Sequence, residues 1–163
     1  MRKGYALSAQ PKEKVSARQK AMQYLERADR SVRELQDRLA ASGYSEEEAA
    51  DAVRYVQSFG YLDDSRFAAN LIRRSLNSKS RQKIFSELYA KGIDPEISRA
   101  AWEEVSEEEG YNEERLIRQA LRKKCPEGLP ADPAEKKKIY GFLARKGFSF
   151  ELVNKVLNFD DDV

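Results

Sequence analysis

Apolar positions recur along this chain with a helical period, and glycines punctuate them on a repeated plan. At three places an apolar residue stands eight positions before a glycine and a Leu stands four before it. A bulky apolar residue follows the glycine, and then a capping residue. The copies are Leu35-Leu39-Gly43-Tyr44-Ser45, Ile84-Leu88-Gly92-Ile93-Asp94 and Ile139-Leu143-Gly147-Phe148-Ser149, with glycines 49 and 55 residues apart. Repetition at that period in a helical chain predicts an array of small units with a long surface for a large partner.

Helix-start signals fill in the plan. Ser16 with Gln19, Ser31 with Glu34 and Ser45 with Glu48 each read as a capping box, where the serine oxygen takes one orphan amide and the Glu or Gln reaches back for another. The first helix runs to about Ala28 and buries Ala21, Met22 and Leu25. The second ends at Gly43 and the third near Gly60. Asp63 and Asp64 open a fourth, with Phe67, Leu71, Ile72 and Leu76 on its apolar face. After a break at Asn77-Ser78, a fifth carries Ile84, Phe85 and Leu88. Asp94-Pro95 starts a sixth with Ile97, Ala101, Trp102 and Val105, and Trp102 reads as core. Asn112 opens a seventh with Leu116, Ile117, Ala120 and Leu121. The loop Pro126–Pro130 accounts for the longer second spacing. Asp132-Pro133 with Glu135 restarts a helix, and Ser149 caps the last, with Leu152, Val153, Val156 and Leu157. No period-2 pattern holds for a strand.

The expected fold is therefore all-α: three tandem three-helix repeats forming an elongated, curved array. The units are expected at 15–61, 62–110 and 111–159, after a flexible tail over 1–14 and before a frayed acidic tail over 160–163. Each is near the lower size limit for a self-sufficient core, so each should lean on its neighbours.

Composition changes the picture through charge. The chain of 163 residues is 36% charged and nearly balanced at +2. The balance hides an alternation: +5 over residues 1–30, −5 over 31–64, +6 over 65–91, −8 over 92–114, +7 over 115–147 and −3 over 148–163. The first two helices of each unit tend to be basic; the third is acidic in units one and two, and the last ends in an acidic tail. Stacked units would align the cations as a stripe able to follow a phosphate backbone or an acidic protein groove. The candidate partner- or DNA-binding residues are Arg27, Arg30, Arg66, Arg73, Arg74, Lys79, Arg81, Lys83, Lys91, Arg118, Arg122 and Lys123. Aromatic residues are few on these helices. Tyr24 and Phe85 read as core and Tyr89 and Tyr140 as partly exposed, so base stacking is not encoded there.

Catalytic chemistry is scarce. The chain has no His and one Cys, and neither a glycine-rich phosphate loop nor a nucleophile elbow. Asp63 and Asp64 read as caps before they read as an acid pair, and Glu107-Glu108-Glu109 as a solvated helix end before a cation site. No catalytic residue, metal or cofactor is expected. The lone Cys125, the lack of a membrane-length apolar run and the lack of a secretory h-region point to the cytoplasm. No unit shows a surplus apolar face, which predicts a monomer.

The stretch Gly60-Tyr61-Leu62-Asp63-Asp64-Ser65-Arg66-Phe67-Ala68 resembles the signature junction between the first and second repeats of the RecX family, regulators of the RecA recombinase. Tyr24-Leu25 with Ser31-Val32-Arg33-Glu34-Leu35, Glu87-Leu88-Tyr89-Ala90-Lys91-Gly92-Ile93 and Arg145-Lys146-Gly147-Phe148-Ser149 fit the same repeats. The resemblance covers residues 16 to 158. It implies a non-enzymatic protein that docks in the helical groove of a RecA filament, across neighbouring protomers, and alters assembly, ATP hydrolysis and strand exchange. Single- or double-stranded DNA is a further candidate partner. A nucleic-acid-binding module without a recombinase partner, and a passive helical adaptor, are the other readings of the charge pattern.

Overall fold

The computed structural model describes residues 13–159, so the expected acidic tail and residues 1–12 lie outside the described residues. Among the described residues there are nine α-helices and no strand. They are α1 (Ala17–Arg27), α2 (Val32–Ala41), α3 (Glu46–Ser58), α4 (Asp64–Ser75), α5 (Arg81–Ala90), α6 (Pro95–Glu109), α7 (Glu113–Lys124), α8 (Pro133–Arg145) and α9 (Phe150–Phe159). Every expected cap is in place. The three capping boxes open α1, α2 and α3. Asp63, Asp94, Asn112 and Asp132 cap α4, α6, α7 and α8. Ser80, which no sequence pattern singled out, caps α5 by accepting the Lys83 amide at 3.2 Å.

Each triplet encloses its own core. In the first unit Leu35, Leu39, Val53 and Val56 meet between α2 and α3, with Ala21 of α1 on top. In the second, Phe67, Leu71 and Ile72 of α4 pack on Trp102 and Val105 of α6, with Ile84 and Leu88 of α5 beneath. In the third, Ile117 and Leu121 meet Leu143, Val153 and Val156. Such a buried Leu is worth roughly 1.5–3 kcal/mol, so the cores and not the helix propensities hold each unit. Trp102 is buried, as its place among apolar residues required. Leu129 brings the Pro126–Pro130 loop onto the third core.

The units join through helix ends. The Ser31 hydroxyl accepts the Glu34 amide of its own helix at 3.1 Å and donates to the Lys91 carbonyl at the end of α5 at 2.6 Å. Ser80 repeats this with Lys146 at the end of α8, at 3.0 Å. Both serines are fully buried. Beside each bond, a glycine in the left-handed conformation closes the helix, Gly92 at φ 74° and Gly147 at φ 88°. A Cβ on Gly92 would overlap the Arg33 side chain, and one on Gly147 the Ser80 hydroxyl. The next amide also crosses the joint. Val32 donates to Asp64 at 2.9 Å; Arg81 donates to the Tyr111 hydroxyl at 2.9 Å and engages Glu113. Glu113 stands at the position in the third unit that Asp64 holds in the second.

The array's two ends lack these partners. Gly43, the first unit's closing glycine, has its carbonyl bonded by the Lys14 ammonium at 3.0 Å, and the same ammonium lies 4.2 Å over the Tyr44 ring. At the other end, position 135, the counterpart of Ser31 and Ser80, is a glutamate inside α8, which starts one turn early and is 13 residues long against 10 for α2 and α5.

Ser31→Ala and Ser80→Ala should each cost about 1–3 kcal/mol in urea unfolding, from a lost cap and an orphaned buried carbonyl. Ser31→Asp, which still caps but cannot donate, should cost as much; a loss confined to the alanine variant would show that the hydroxyl acts only as a cap. Gly60→Ala meets nothing within 4 Å and should cost only the backbone term of about 1–2 kcal/mol, with Gly92→Ala costing more.

Candidate partner-binding surface

The twelve cations expected to meet a partner divide into two groups. Seven are engaged within the chain. Arg30 reaches the Tyr24 carbonyl at 3.4 Å, and Arg66 the Gly60 carbonyl at 2.8 Å. Arg73 pairs with Glu108 at 3.3 Å, Lys79 with Glu87 at 2.6 Å and Arg118 with Glu114 at 3.2 Å. Lys91 pairs with Glu34 across the first joint. Arg81 lies over Phe85 at 4.9 Å and Trp102 at 5.6 Å. The remaining five, Arg27, Arg74, Lys83, Arg122 and Lys123, are exposed and have no hydrogen-bond or ion-pair partner among the described residues.

Four of those five occupy one kind of place. Arg27 is in the last turn of α1, Arg74 in that of α4, and Arg122 and Lys123 in that of α7. These are the first helices of the three units, and their carboxyl ends carry the negative pole of the helix dipole. Acidic residues sit at the opposite poles: Asp64 in α4, Glu113 and Glu114 in α7, Glu46 to Glu48 in α3. Much of the charge alternation is thus local compensation of helix ends, and its by-product is one exposed cation or more at a corresponding corner of each unit.

Aromatic faces hold further cations, some from the same helix four residues away and some, such as Arg38, from a neighbouring helix. Tyr24 is half-buried, its hydroxyl 2.6 Å from Ser42, and its ring has Lys20, Arg30 and Arg38 at 5.2, 5.8 and 5.6 Å. Phe85 is half-buried too, Tyr140 likewise, while Tyr89 is largely exposed.

The paired aspartates serve two helices. Asp63 accepts the Ser65 and Arg66 amides of its own helix at 2.9 and 3.2 Å, while Asp64 accepts Val32 of the preceding unit. Burial, the neighbouring Asp63 and Glu34 push the Asp64 pKa up, against the Val32 bond. For Glu34, burial raises the pKa, but the Lys91 and Ser31 bonds and the Lys91 and Arg30 charges together bring it below the usual range. At the second joint burial pushes Tyr111 up to about 12 and raises Glu113. There Lys83 holds the position of Glu34 and Lys146 that of Lys91, so the ion pair of the first joint has no equivalent.

Glu107–Glu109 end α6 against the left-handed Gly110, with Glu108 turned to Arg73. Among the described residues no group of three or more His, Cys, Asp or Glu could hold a metal ion, and no helix is long and apolar enough to cross a membrane.

Comparison with known proteins places this arrangement. Residues 17–55, 63–101 and 112–157 match the models of the first, second and third three-helix domains of RecX. The chain is 33% identical over 145 residues to regulatory protein RecX of Stenotrophomonas maltophilia, covering 88% of this chain and 86% of that one. It is 34% identical over 146 residues to regulatory protein RecX of Chromohalobacter salexigens, covering 89% and 93%. The crystal structure of RecX from Lactobacillus salivarius superposes with a TM-score of 0.69 at 20% identity, over 90% of this chain and 96% of that one.

The two carboxylates at the first joint titrate with opposite consequences. Glu34, with its pKa lowered in the fold, adds stability above the ordinary carboxylate pKa and loses it as pH falls through the lowered value. Glu34→Gln should therefore cost about 0.5–1 kcal/mol at neutral pH and little in acid below about pH 3. Asp64, with its pKa raised, is more favourable to the fold when protonated. Relative to the parent chain, Asp64→Asn should gain stability as pH rises from about 3 to 7. Thermal melts across that range check both signs.

Proposed function

The chain belongs to the RecX family, and from that premise we propose that it is a non-enzymatic modulator of the RecA recombinase in DNA repair and recombination. It docks along the helical groove of the filament across neighbouring protomers, and alters assembly, ATP hydrolysis and strand exchange. It works in the cytoplasm as a monomer. The observation that carries the reading is that all three RecX domains are present in order and joined end to end. A filament repeats its surface at each protomer, and three similar units offer it successive footholds. Arg27, Arg74, Arg122 and Lys123, exposed at the corresponding helix end of each unit, are the residues best placed to supply them. The cations already paired within the chain contribute less, because partner contact must first break those pairs.

The second reading, a nucleic-acid-binding module acting alone, draws on the same exposed cations. It predicts tight DNA binding by the isolated chain with a steep salt dependence.

Purified protein added to RecA filaments on single-stranded DNA should slow ATP hydrolysis and strand exchange; unchanged rates would refute the proposal. Arg74→Glu combined with Arg122→Glu should raise the half-maximal concentration about tenfold or more, the size of one or two lost charged contacts. Lys83→Glu is the sharper variant. It supplies Lys146 with the partner Lys91 already has, so the fold should keep its stability or gain up to about 1 kcal/mol while partner binding weakens.

A further inference from the structure

Correspondence between the units isolates one surface that the fold leaves unexplained. Where a helix closes on a left-handed glycine, the apolar residue after it turns inward: Tyr44 after Gly43, Ile93 after Gly92 and Phe148 after Gly147 are all buried. Tyr111, after Gly110, is half-buried with its ring 4.8 Å from that of Trp102, and its hydroxyl takes the Arg81 amide. Tyr61, after Gly60, does none of this. It is 51% exposed and lies near-parallel to Phe59, itself 57% exposed, with ring centroids 5.9 Å apart and planes at 25°. Phe59 in turn meets Tyr55 edge-on at 5.1 Å. Directly before the left-handed Gly110 of the second unit stands Glu109, so the repeat itself does not demand an aromatic at the place of Phe59.

The platform stands on fixed backbone. The Gly60 amide donates to Gln57 at 2.9 Å and the Tyr61 amide to Val56 at 3.0 Å. Arg66 holds the Gly60 carbonyl at 2.8 Å. Arg18 lies 4.6 Å over the Tyr55 ring and is held by Asp51 at 2.8 and 2.9 Å. Two neighbouring exposed rings, with one guanidinium on the adjoining Tyr55 ring and another on the adjoining Gly60 carbonyl, are the kind of stacking surface on which single-strand binders receive unpaired bases. We infer that this platform binds single-stranded nucleic acid by stacking unpaired bases on Phe59 and Tyr61. Asp51 offsets part of the charge at its edge, so ring stacking outweighs phosphate attraction here, and the affinity added by the rings is insensitive to salt. The inference does not rest on the filament reading, because it concerns the isolated chain.

The test is fluorescence anisotropy with labelled oligothymidylate of about 20 nucleotides, longer than one such site, beside an abasic strand of equal length. The parent chain should prefer the base-bearing strand. Phe59→Ala and Tyr61→Ala should each weaken that binding by about tenfold, with the salt slope unchanged, and Phe59→Trp should retain it. Both side chains are exposed, so circular dichroism should show folded variants; the tryptophan variant keeps the test decisive if an alanine variant is not. Equal affinity for the two strands, no binding to either, or full affinity in Phe59→Ala would each overturn the inference. So would Phe59→Ala that keeps the strand but loses its effect on recombinase filaments, which would make the platform a protein contact. A parent chain that slows the filament yet ignores the oligonucleotide leaves the filament reading standing and this one refuted.

Discussion

Two serine hydroxyls set the geometry of the array. At Ser31 and Ser80 one oxygen receives an amide of its own helix and gives its proton to the last carbonyl of a helix in the next unit. An aspartate cap lacks the proton and an alanine lacks the oxygen, and in a fully buried site either leaves a polar group without a partner. The glycines beside them follow from the same constraint, because helix ends approach this closely only without a Cβ. The first joint is polar, while at the second Tyr111 also packs against both the second and third cores. Apolar burial makes each unit, and directed hydrogen bonds, joined at the second joint by Tyr111, connect one unit to the next.

This division accounts for what the sequence disclosed. Caps and apolar faces are local, set by residues three or four apart, and they place all nine helices. The joints join residues about 60 positions apart, such as Ser31 with Lys91, and no local spacing marks them. Ser80 lacks the companion glutamate that made the other serines conspicuous, since Lys83 stands there. Gly92 and Gly147 looked like helix stops, and they are; their closeness to a neighbouring unit appears only in three dimensions.

Charge shows the same limit. The alternation along the chain is real, yet seven of the twelve selected cations are engaged by carbonyls, carboxylates or aromatic rings of this chain. Composition cannot separate a cation that neutralises a helix end from one that awaits a partner, because both obey the same dipole. Tyr61 and Tyr111 make the matching point for aromatics. Each follows a left-handed glycine at the end of a third helix, but one is absorbed by a joint and the other faces water.

The two ends of the stack differ in chemistry. At the first unit Lys14 holds the carbonyl of the closing Gly43, and at the far end Asp132 caps α8 with a carboxylate that has no proton to give. Each joint takes its donor hydroxyl from the earlier unit and its carbonyl from the later one, so the stack has a direction and its first and last faces are chemically unlike.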